Sequence, residues 1–295
     1  MRLANVGGRV AVVVGDKFID VEVASGGRFG ADPQAVFDDW SRFRVWADNA
    51  AGGSALAAIS EMIAADLEAP VPAPRQVFAI ALNYSDHVRE AGYSQPESPG
   101  VFTKFPSCLA GPNAEVPLPD GAVDWEVELV VAIGERCEKV PEAAAWSRVA
   151  GLMVGQDISE RRLQMAGPAP QFSLGKSFPR FGPTGPVLVT PDEFTRPDDL
   201  EIGCRLEAGE ILQKSRTSNL IFSVPELIAR LSAVCHLLPG DLIFTGTPAG
   251  VGGTRVPPKF LAAGDILVSW VEGVGSLRNP MVAHKDAVSQ DRVQS

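Results

Sequence analysis

Cysteine and histidine are scarce in this chain, which gives little support to a disulfide framework or to a site built from thiolate ligands. There are four cysteines and three histidines among 295 residues. The cysteines, Cys108, Cys137, Cys204 and Cys235, show no Cys-x-x-Cys spacing, and a chain of this length needs no disulfides to fold. We therefore expect free thiols in a reducing cytoplasm.

Long apolar runs and an excess of positive charge are also missing. No stretch approaches the roughly 18 apolar residues of a membrane span, and the N-terminal region lacks a basic segment followed by an apolar run. The formal net charge is −10, so no basic stripe is available to neutralise nucleic-acid phosphates. These absences predict a soluble, cytoplasmic, globular protein with neither a nucleic acid nor a membrane as its partner.

Two common catalytic motifs are absent as well. The glycine-rich segment 245–253 lacks the Gly-Lys-Ser/Thr ending of a P-loop and the context of a Rossmann fingerprint, so a phosphate site is disfavoured. No Gly-x-Ser-x-Gly elbow is present, which disfavours a serine hydrolase. The amides of segment 245–253, with the hydroxyl group of Thr247, could still bind a carboxylate.

Hydrophobic patterning predicts a mixed, β-rich α+β fold with a domain boundary near residue 70. Residues 1–70 contain a hairpin followed by two helical stretches, Pro33–Asn49 and Ser54–Leu67, and end at a proline-rich joint. From residue 76 onward, short strands recur with few helices between them, which favours a rolled or sandwiched sheet over a βαβ repeat. We predict a small N-terminal α+β domain over 1–70, a catalytic domain over 71–284 and a polar tail over 285–295. In the larger domain we expect helices at Ser85–Ala91, Glu142–Ala150 and Val224–Ala233, the last with a capping box that starts at Ser223.

Two glutamates interrupt the apolar strand predicted over residues 124–134. Side chains alternate along a strand, so Glu126 and Glu128 share one face and repel each other unless a proton or a cation lies between them. Asp157, which ends another buried strand, completes an oxygen-rich set that suits Mg²⁺ or Mn²⁺ better than zinc. The alternatives are a solvated strand end for the glutamates and a turn cap for Asp157. We expect Asp124 at the frayed end of the strand and outside the ligand set.

A histidine and a glutamate follow the strand predicted at residues 76–82. If this segment is helical, His87 and Glu90 share a face, and the carboxylate orients the imidazole as in a general-base dyad. An ordinary surface ion pair is the alternative.

Basic residues are concentrated between residues 161 and 180 of this acidic chain. Lys176 lies there in a loop punctuated by glycine and proline, and Arg161 and Arg162 precede it. Beside a metal, a lysine and an arginine are what an anionic substrate requires. A solvated basic face is the alternative.

Several longer segments carry a family resemblance, and they cover residues 76–283 in the family order. The chain strongly resembles the fumarylacetoacetate hydrolase superfamily, especially its short acylpyruvase-like and 2-hydroxyhepta-2,4-diene-1,7-dioate isomerase-like members. The matching segments are Asn83–Glu90, Asp124–Gly134, Gln156–Arg161, Gly175–Phe178, Phe222–Ile228, Pro239–Gly252 and Glu272–Pro280.

The resemblance implies a β-roll catalytic domain, usually a homodimer, that acts on a small oxo-acid with the help of a divalent metal. By position, the family's metal ligands correspond to Glu126, Glu128 and Asp157. Its catalytic residues correspond to His87, Glu90 and Lys176. Its substrate contacts correspond to Arg161, Gln164 and Thr247.

Two positions depart from the family pattern. Arg162 stands where the family usually has an acid, and Pro179 stands where it usually has an aspartate. Both lie beside the implied pocket and outside the implied metal and dyad positions. We expect them to affect substrate choice or lid contacts more than chemistry.

The activity that the resemblance implies is metal-dependent hydrolysis of a C–C bond. The substrate would be an acylpyruvate or a related 2,4-dioxo acid, with release of pyruvate or a related oxo-acid. Oxaloacetate decarboxylation and isomerisation or hydration of dienoic oxo-acids are alternatives on the same scaffold. A catalytically silent oxo-acid-binding protein is the alternative outside enzymology, and the complete set of His87, Glu90 and Lys176 speaks against it.

Overall fold

The structure is a computed structural model that describes residues 1–51 and 67–283. Its α-helices are α1 (Val21–Ala24), α2 (Trp40–Ala51), α3 (Ser85–Glu90), α4 (Arg161–Gln164) and α5 (Val224–Ser232). Its strands are β1 (Arg2–Val6), β2 (Arg9–Val14), β3 (Lys17–Asp20), β4 (Leu67–Glu68), β5 (Val77–Ala81), β6 (Gly100–Thr103), β7 (Leu109–Ala110), β8 (Val116–Leu118), β9 (Val123–Asp124), β10 (Val127–Ile133), β11 (Val149–Gln156), β12 (Ser159–Glu160), β13 (Gly182–Val189), β14 (Glu201–Leu206), β15 (Ile211–Arg216), β16 (Leu242–Phe244), β17 (Ile266–Val271) and β18 (Gly275–Ala283).

Two sheets dominate the architecture. The larger has the order β3-β2-β1-β13-β11-β10-β16-β5-β6, with β4 beside β1 and β7 beside β13. The smaller has the order β15-β14-β17-β18-β8, and β9 pairs separately with β12. Most neighbouring strands are antiparallel, and three pairs run parallel, namely β5 with β16, β7 with β13 and β8 with β18. This mixed, sheet-rich arrangement with few helices confirms the predicted fold class.

Strand β10 is buried on both faces, which explains its nearly continuous apolar sequence. Leu129 and Val131 belong to one core cluster together with β14 and β17, whereas Val130 belongs to a second cluster together with Trp40 of α2. The side chains therefore alternate as the sequence predicts, and each face of β10 packs against a different layer.

The register between β10 and β11 determines where the acidic residues meet. Val127 lies opposite Gln156, and the backbone N–H of Asp157 donates to the carbonyl of Glu126 at 2.9 Å. Two segments that are about thirty residues apart in sequence thus bring Glu126 and Asp157 to the same end of the sheet.

The N-terminal strands extend the larger sheet. Leu3 of β1 lies opposite Leu188 of β13 and also opposite Val12 of β2. The division into domains at residue 70 stays a prediction. Nearly all of the expected helix Ser54–Leu67, and the tail 285–295, lie outside the described residues.

One predicted helix is wrong and another is confirmed. Residues 142–150 contain two short 3₁₀ turns, and β11 begins at Val149. Val149 pairs with Ile133 of β10, so strand pairing overrides the local helical pattern. Helix α5 is present, with the side chain of Ser223 accepting from the N–H of Glu226. Within the described ranges, no helix combines the length and apolarity that a membrane crossing requires.

Candidate active site

Three carboxylates meet at the end of β10 and β11. Glu126 directly precedes β10, Glu128 is its second residue, and Asp157 directly follows β11. Ligand oxygens from these three residues lie within 4.8 Å of one another, and all three side chains are buried. The structure therefore brings together the three residues that the sequence predicts as metal ligands.

Two lysines neutralise part of this negative charge. Nζ of Lys176 lies 2.8 Å from Oε2 of Glu126 and 2.6 Å from Oδ2 of Asp157. Nζ of Lys104 lies 2.8 Å from Oδ1 of Asp157 and also donates to the carbonyl of Lys176. The sequence predicts Lys176 as a site residue, whereas only the structure shows that Lys104 belongs to the site.

Glu128 has no cationic hydrogen-bond partner among the described residues, and its Oε2 accepts only the N–H of Gly246, at 2.8 Å. Burial, together with the nearby charges of Asp157 and Glu126, raises the pKa of Glu128 well above its usual range. For Glu126, burial alone would raise the pKa, but Lys176 and Arg161 hold it below its usual range. An added divalent cation would relieve the repulsion at Glu128. The donor set, three carboxylates without sulfur or nitrogen, fits a hard cation such as Mg²⁺ or Mn²⁺.

The predicted dyad forms on helix α3. Nδ1 of His87 lies 2.8 Å from Oε1 of Glu90. Both oxygens of Glu90 also accept the N–H of Gly250, at 3.0 and 2.9 Å. His87 is buried and lines the same cavity as Glu126, which distinguishes this pair from an ordinary surface ion pair.

Arg161 is held by three side chains around it. Its NH1 donates to Oε1 of Glu126 at 2.6 Å and to Oε1 of Gln164 at 2.9 Å. Its Nε and NH2 both contact Oδ2 of Asp124, at 2.8 and 2.7 Å. Helix α4, which carries Arg161 and Gln164, is capped by the carboxylate of Glu160. Four of the five guanidinium N–H donors are thus engaged within the protein.

Thr247 is fixed from both sides. Its hydroxyl donates to the carbonyl of Val127 at 2.9 Å and accepts from the amide of Gln213 at 2.8 Å. The side chain lines the cavity, and a second lone pair of the hydroxyl is left for a ligand.

Asp124 is a buried anchor, so the expectation of a frayed strand end is wrong. Its side chain is fully buried. Besides Arg161, it accepts the backbone N–H groups of Gly252 and Gly253 at 2.7 and 2.8 Å. These hydrogen bonds fix the side chain of Asp124 although β9 is only two residues long. The structure leaves it outside the carboxylate cluster.

The glycine-rich segment 245–253 binds carboxylates, but they belong to the protein itself. Its amides hold Glu128 through Gly246, Glu90 through Gly250 and Asp124 through Gly252. Gly250 has φ of 109°, and a Cβ at this position would collide with the carbonyl of Leu212. This one segment therefore positions a carboxylate of the cluster, the His87–Glu90 pair and the partner of Arg161 together.

A cavity of about 430 Å³ connects these groups. Six of the predicted site residues line it, namely His87, Glu126, Arg161, Gln164, Lys176 and Thr247. Arg162 and Pro179, where the sequence departs from the family pattern, are exposed and are not among its lining residues.

Sequence reasoning missed two residues that organise the site. Lys104 lies in a short, mostly apolar segment. A lysine in such a segment is the one feature of the sequence that could have indicated a buried ion pair. The side chain of Asn83 donates to the carbonyls of Phe222 and Thr245 and accepts the N–H of Phe222. This amide ties the start of the dyad segment to the start of the glycine-rich segment.

The fold and the site define a β-rich protein with a buried cluster of carboxylates that reaches a ligand-sized cavity through Glu126. The family model described as the fumarylacetoacetate (FAA) hydrolase C-terminal region matches residues 76–282. This chain belongs to the fumarylacetoacetate hydrolase superfamily of enzymes.

Individual relatives agree with this assignment. The bovine protein named mitochondrial oxaloacetate tautomerase FAHD2A is 43% identical over 216 residues, which cover 72% of this chain and 68% of that protein. An HpcE-like protein from Mycobacterium smegmatis superposes with a TM-score of 0.92 at 53% identity, covering 97% of this chain and 100% of the other. Maleylpyruvate hydrolase from Sphingobium sp. SYK-6, solved with manganese(II) and pyruvate, has a TM-score of 0.78 at 29% identity, covering 97% and 100%. The resemblance noted in the sequence is confirmed.

Proposed function

We propose that this enzyme hydrolyses a C–C bond in an acylpyruvate or a related 2,4-dioxo acid, with the help of a divalent metal. The observation that carries the proposal is the convergence of a His–Glu dyad, a lysine and a carboxylate cluster on one cavity. His87 and Lys176 both line it, as does Glu126 of the cluster. A base, an oxyanion-stabilising cation and a metal site are the three parts that this hydrolysis needs.

The metal would be held by Glu126, Glu128 and Asp157, and Mg²⁺ and Mn²⁺ both suit these ligands. When bound, such a cation supplies Lewis-acid stabilisation for the negative charge that develops on the oxygens of the oxo-acid. The manganese(II) and pyruvate bound by the Sphingobium hydrolase support this assignment.

His87 would activate the attacking water. Glu90 engages Nδ1, so the proton stays on that nitrogen and Nε2 is left as the base. The water oxygen attacks the acyl carbonyl carbon, C4, while its proton passes to Nε2.

Lys176 would stabilise the oxyanion that forms at C4. Two of its three N–H donors are used by Glu126 and Asp157, which leaves one for the substrate. When the C3–C4 bond breaks, its electron pair moves to C3, and the proton held by His87 is delivered there. One water is consumed, and the products are a carboxylic acid and pyruvate.

Arg161, Gln164 and Thr247 would orient the substrate. Arg161 retains one N–H donor, and the amide nitrogen of Gln164 is a further donor beside it. These donors suit the carboxylate end of the oxo-acid, because charge-assisted hydrogen bonds to carboxylates are the stronger ones.

A second candidate is proton transfer in oxaloacetate or a related oxo-acid without water attack. The 43% identity with a protein named oxaloacetate tautomerase favours it, and the same base would move a proton at C3. Decarboxylation of oxaloacetate and isomerisation of dienoic oxo-acids also need a stabilised enolate but no attacking water.

Product analysis separates these reactions. The purified protein with Mn²⁺ is incubated with a short acylpyruvate and, separately, with oxaloacetate. Hydrolysis gives equal amounts of pyruvate and carboxylic acid from the acylpyruvate. Decarboxylation gives pyruvate and CO₂ from oxaloacetate, and tautomerisation changes only the ultraviolet absorbance of the enol. Enol interconversion without any release of pyruvate would contradict the hydrolase proposal. Tight binding of both compounds without turnover of either would contradict the proposal that the protein is an enzyme acting on them.

We also propose a homodimer in the cytoplasm. The dimer is what the family resemblance implies, and light scattering of the purified protein measures it directly. A monomer at micromolar concentration would contradict this proposal.

A further inference from the structure

The charged side chains that line the cavity are gathered around one carboxylate. Arg161 and Lys176 bind the two oxygens of Glu126, at 2.6 and 2.8 Å. His87, whose imidazole also lines the cavity, is held by Glu90. The charge of the cavity is therefore confined to the region where the oxo-acid head would bind.

The rest of the lining is largely apolar. Nζ of Lys176 lies 5.1 Å from the ring centroid of Phe102, and that ring packs edge-on against Phe172 at 5.7 Å. The aromatic wall thus begins at the charged group and leads away from it. The other apolar lining residues are Ile80, Ala81, Leu82, Ala91, Met165, Val251 and Phe260, and Tyr93 and Thr254 add two neutral hydroxyl groups.

A second carboxylate would find no cation along this wall. Within the described part of the chain, Arg161 and Lys176 are the only lysine or arginine side chains that line the cavity, and both are committed to the acids described above. Arg89, on the dyad helix, faces solvent in a pair with Asp86. An ionised carboxylate moved from water into apolar surroundings without a partner loses much of its stabilisation.

We infer that the substrate is a monoanionic 2,4-dioxo acid whose acyl group is apolar, and that dicarboxylates are poor substrates. This inference rests on the proposed function and names the substrate class of that site. It differs from the relatives, whose names specify oxaloacetate and maleylpyruvate, since both of those compounds carry two carboxylates. A cavity of about 430 Å³ lies in the range of about 300–1,000 Å³ typical of pockets for larger organic ligands, and a four-carbon acid would leave much of it unfilled.

The acyl chain length should control the rate. Each buried methylene contributes about 0.8 kcal/mol, which corresponds to about fourfold in kcat/KM. We expect kcat/KM to rise from acetylpyruvate through butanoylpyruvate to hexanoylpyruvate by about that factor per methylene until the wall is covered. Maleylpyruvate, a 2,4-dioxo acid with a second carboxylate, should be at least about tenfold poorer than hexanoylpyruvate.

A binding measurement tests the same inference without turnover. Calorimetry compares 2-oxooctanoate with 2-oxoglutarate on the protein loaded with Mn²⁺. The monoacid should bind at least about tenfold more tightly. Tighter binding of 2-oxoglutarate overturns the inference, whether or not hydrolysis is found.

A matched pair of variants tests whether a cation added to the wall changes the preference between monocarboxylates and dicarboxylates. Phe172 is half-buried and lies one ring beyond Phe102, so Phe172→Arg adds a cation along the wall. The ratio of 2-oxoglutarate to 2-oxooctanoate affinity should rise at least about tenfold, whereas Val234→Arg, which adds the same cation at an exposed position outside the cavity lining, should keep the wild-type ratio within about threefold. An unchanged ratio in a folded Phe172→Arg overturns the inference. If Phe172→Arg does not fold, the calorimetric comparison of 2-oxooctanoate with 2-oxoglutarate on the wild-type protein still tests the inference.

Separate results disprove the substrate class and the hydrolase reaction. Hydrolysis of dicarboxylates in preference to apolar acylpyruvates overturns the substrate class and leaves the hydrolase proposal intact. Absence of hydrolysis together with tighter binding of 2-oxooctanoate overturns the reaction and supports the substrate class.

Discussion

The ammonium group of Lys104 lies 2.8 Å from Oδ1 of Asp157, and neither side chain is exposed to solvent. Lys176 binds the other oxygen of the same carboxylate. Asp157 is therefore fixed by two lysines, one entirely within the protein and one at the cavity. The orientation of a candidate metal ligand thus depends on a residue that lies outside the cavity lining.

Replacing Lys104 by methionine should destabilise the protein strongly. Removal of one partner from a buried ion pair leaves an uncompensated charge and typically costs about 3–5 kcal/mol. Urea unfolding of the metal-free protein measures this loss. Lys214→Met is the control, because Lys214 pairs with Glu201 on the surface with both side chains substantially exposed, and it should cost only a small fraction of that amount. Similar losses for the two variants would contradict the buried pair.

Metal binding should raise the stability of the protein, and this gain should depend on Glu128. At a Mn²⁺ concentration of about 100 times Kd, the free energy of unfolding should rise by about 2.7 kcal/mol over the EDTA-treated protein. Glu128→Gln removes one of three carboxylates and should lower the affinity by more than the roughly 10–100-fold typical of changes around metal ligands.

Calorimetry and thermal unfolding measure both effects. Glu207→Gln provides the control, because Glu207 pairs with Arg278 at the exposed surface. Retention of wild-type Mn²⁺ affinity by Glu128→Gln would remove Glu128 from the ligand set.

His87→Ala should abolish most of the turnover and leave metal binding intact. Loss of a general base typically lowers the rate by about 10²–10⁴-fold, and His87 is not one of the clustered carboxylates. Acylpyruvate turnover and Mn²⁺ calorimetry are measured on the same preparation. His236→Ala serves as the control, since His236 is exposed and contacts Arg136. Near-normal turnover of His87→Ala would disprove its role as the base.

Gly250→Ala should release Glu90 and lower the rate. The residue has φ of 109°, and its added methyl group would collide with the carbonyl of Leu212. Strain of this kind costs on the order of 1–3 kcal/mol, and the segment would have to move away from Glu90. We expect a lower kcat with Mn²⁺ affinity close to that of the wild type.

Gly264→Ala separates steric collision from backbone strain. Gly264 has a similar φ of 98° but open space around its Cα. It should lose some stability and keep its turnover. Equal loss of turnover in the two variants would mean that the contact between Gly250 and Glu90 has no special role.

The sequence predicts the carboxylate cluster because its signal is local. Glu126 and Glu128 interrupt an apolar strand at a spacing of two, and that spacing determines the shared face without any knowledge of the partners. The dyad is similar, since His87 and Glu90 are one helical turn apart. Family resemblance supplied the roles of these residues, and the structure places Glu126 and His87 in the lining of one cavity.

Contacts between distant segments could not be predicted in the same way. Lys104 is 53 residues from Asp157 in sequence, and nothing in its own segment indicates that partner. The local pattern puts Asp124 at a frayed end because it shows only the strand of that residue, whereas the partners Gly252 and Gly253 lie more than a hundred residues further along the chain. The helix expected at residues 142–150 does not form, and the cause is again a contact outside the segment, because Val149 pairs with Ile133 of β10.

The covering of β10 by the N-terminal segment has a practical consequence for anyone shortening the chain. Trp40 packs against the face of β10 that carries Val130, and Leu3 covers the edge of β13 at Leu188. A fragment that begins at residue 71 would bare both an apolar sheet face and an unpaired strand edge, the two features that promote aggregation. The described N-terminal elements thus bury an apolar sheet face and pair a strand edge that would otherwise be open to solvent.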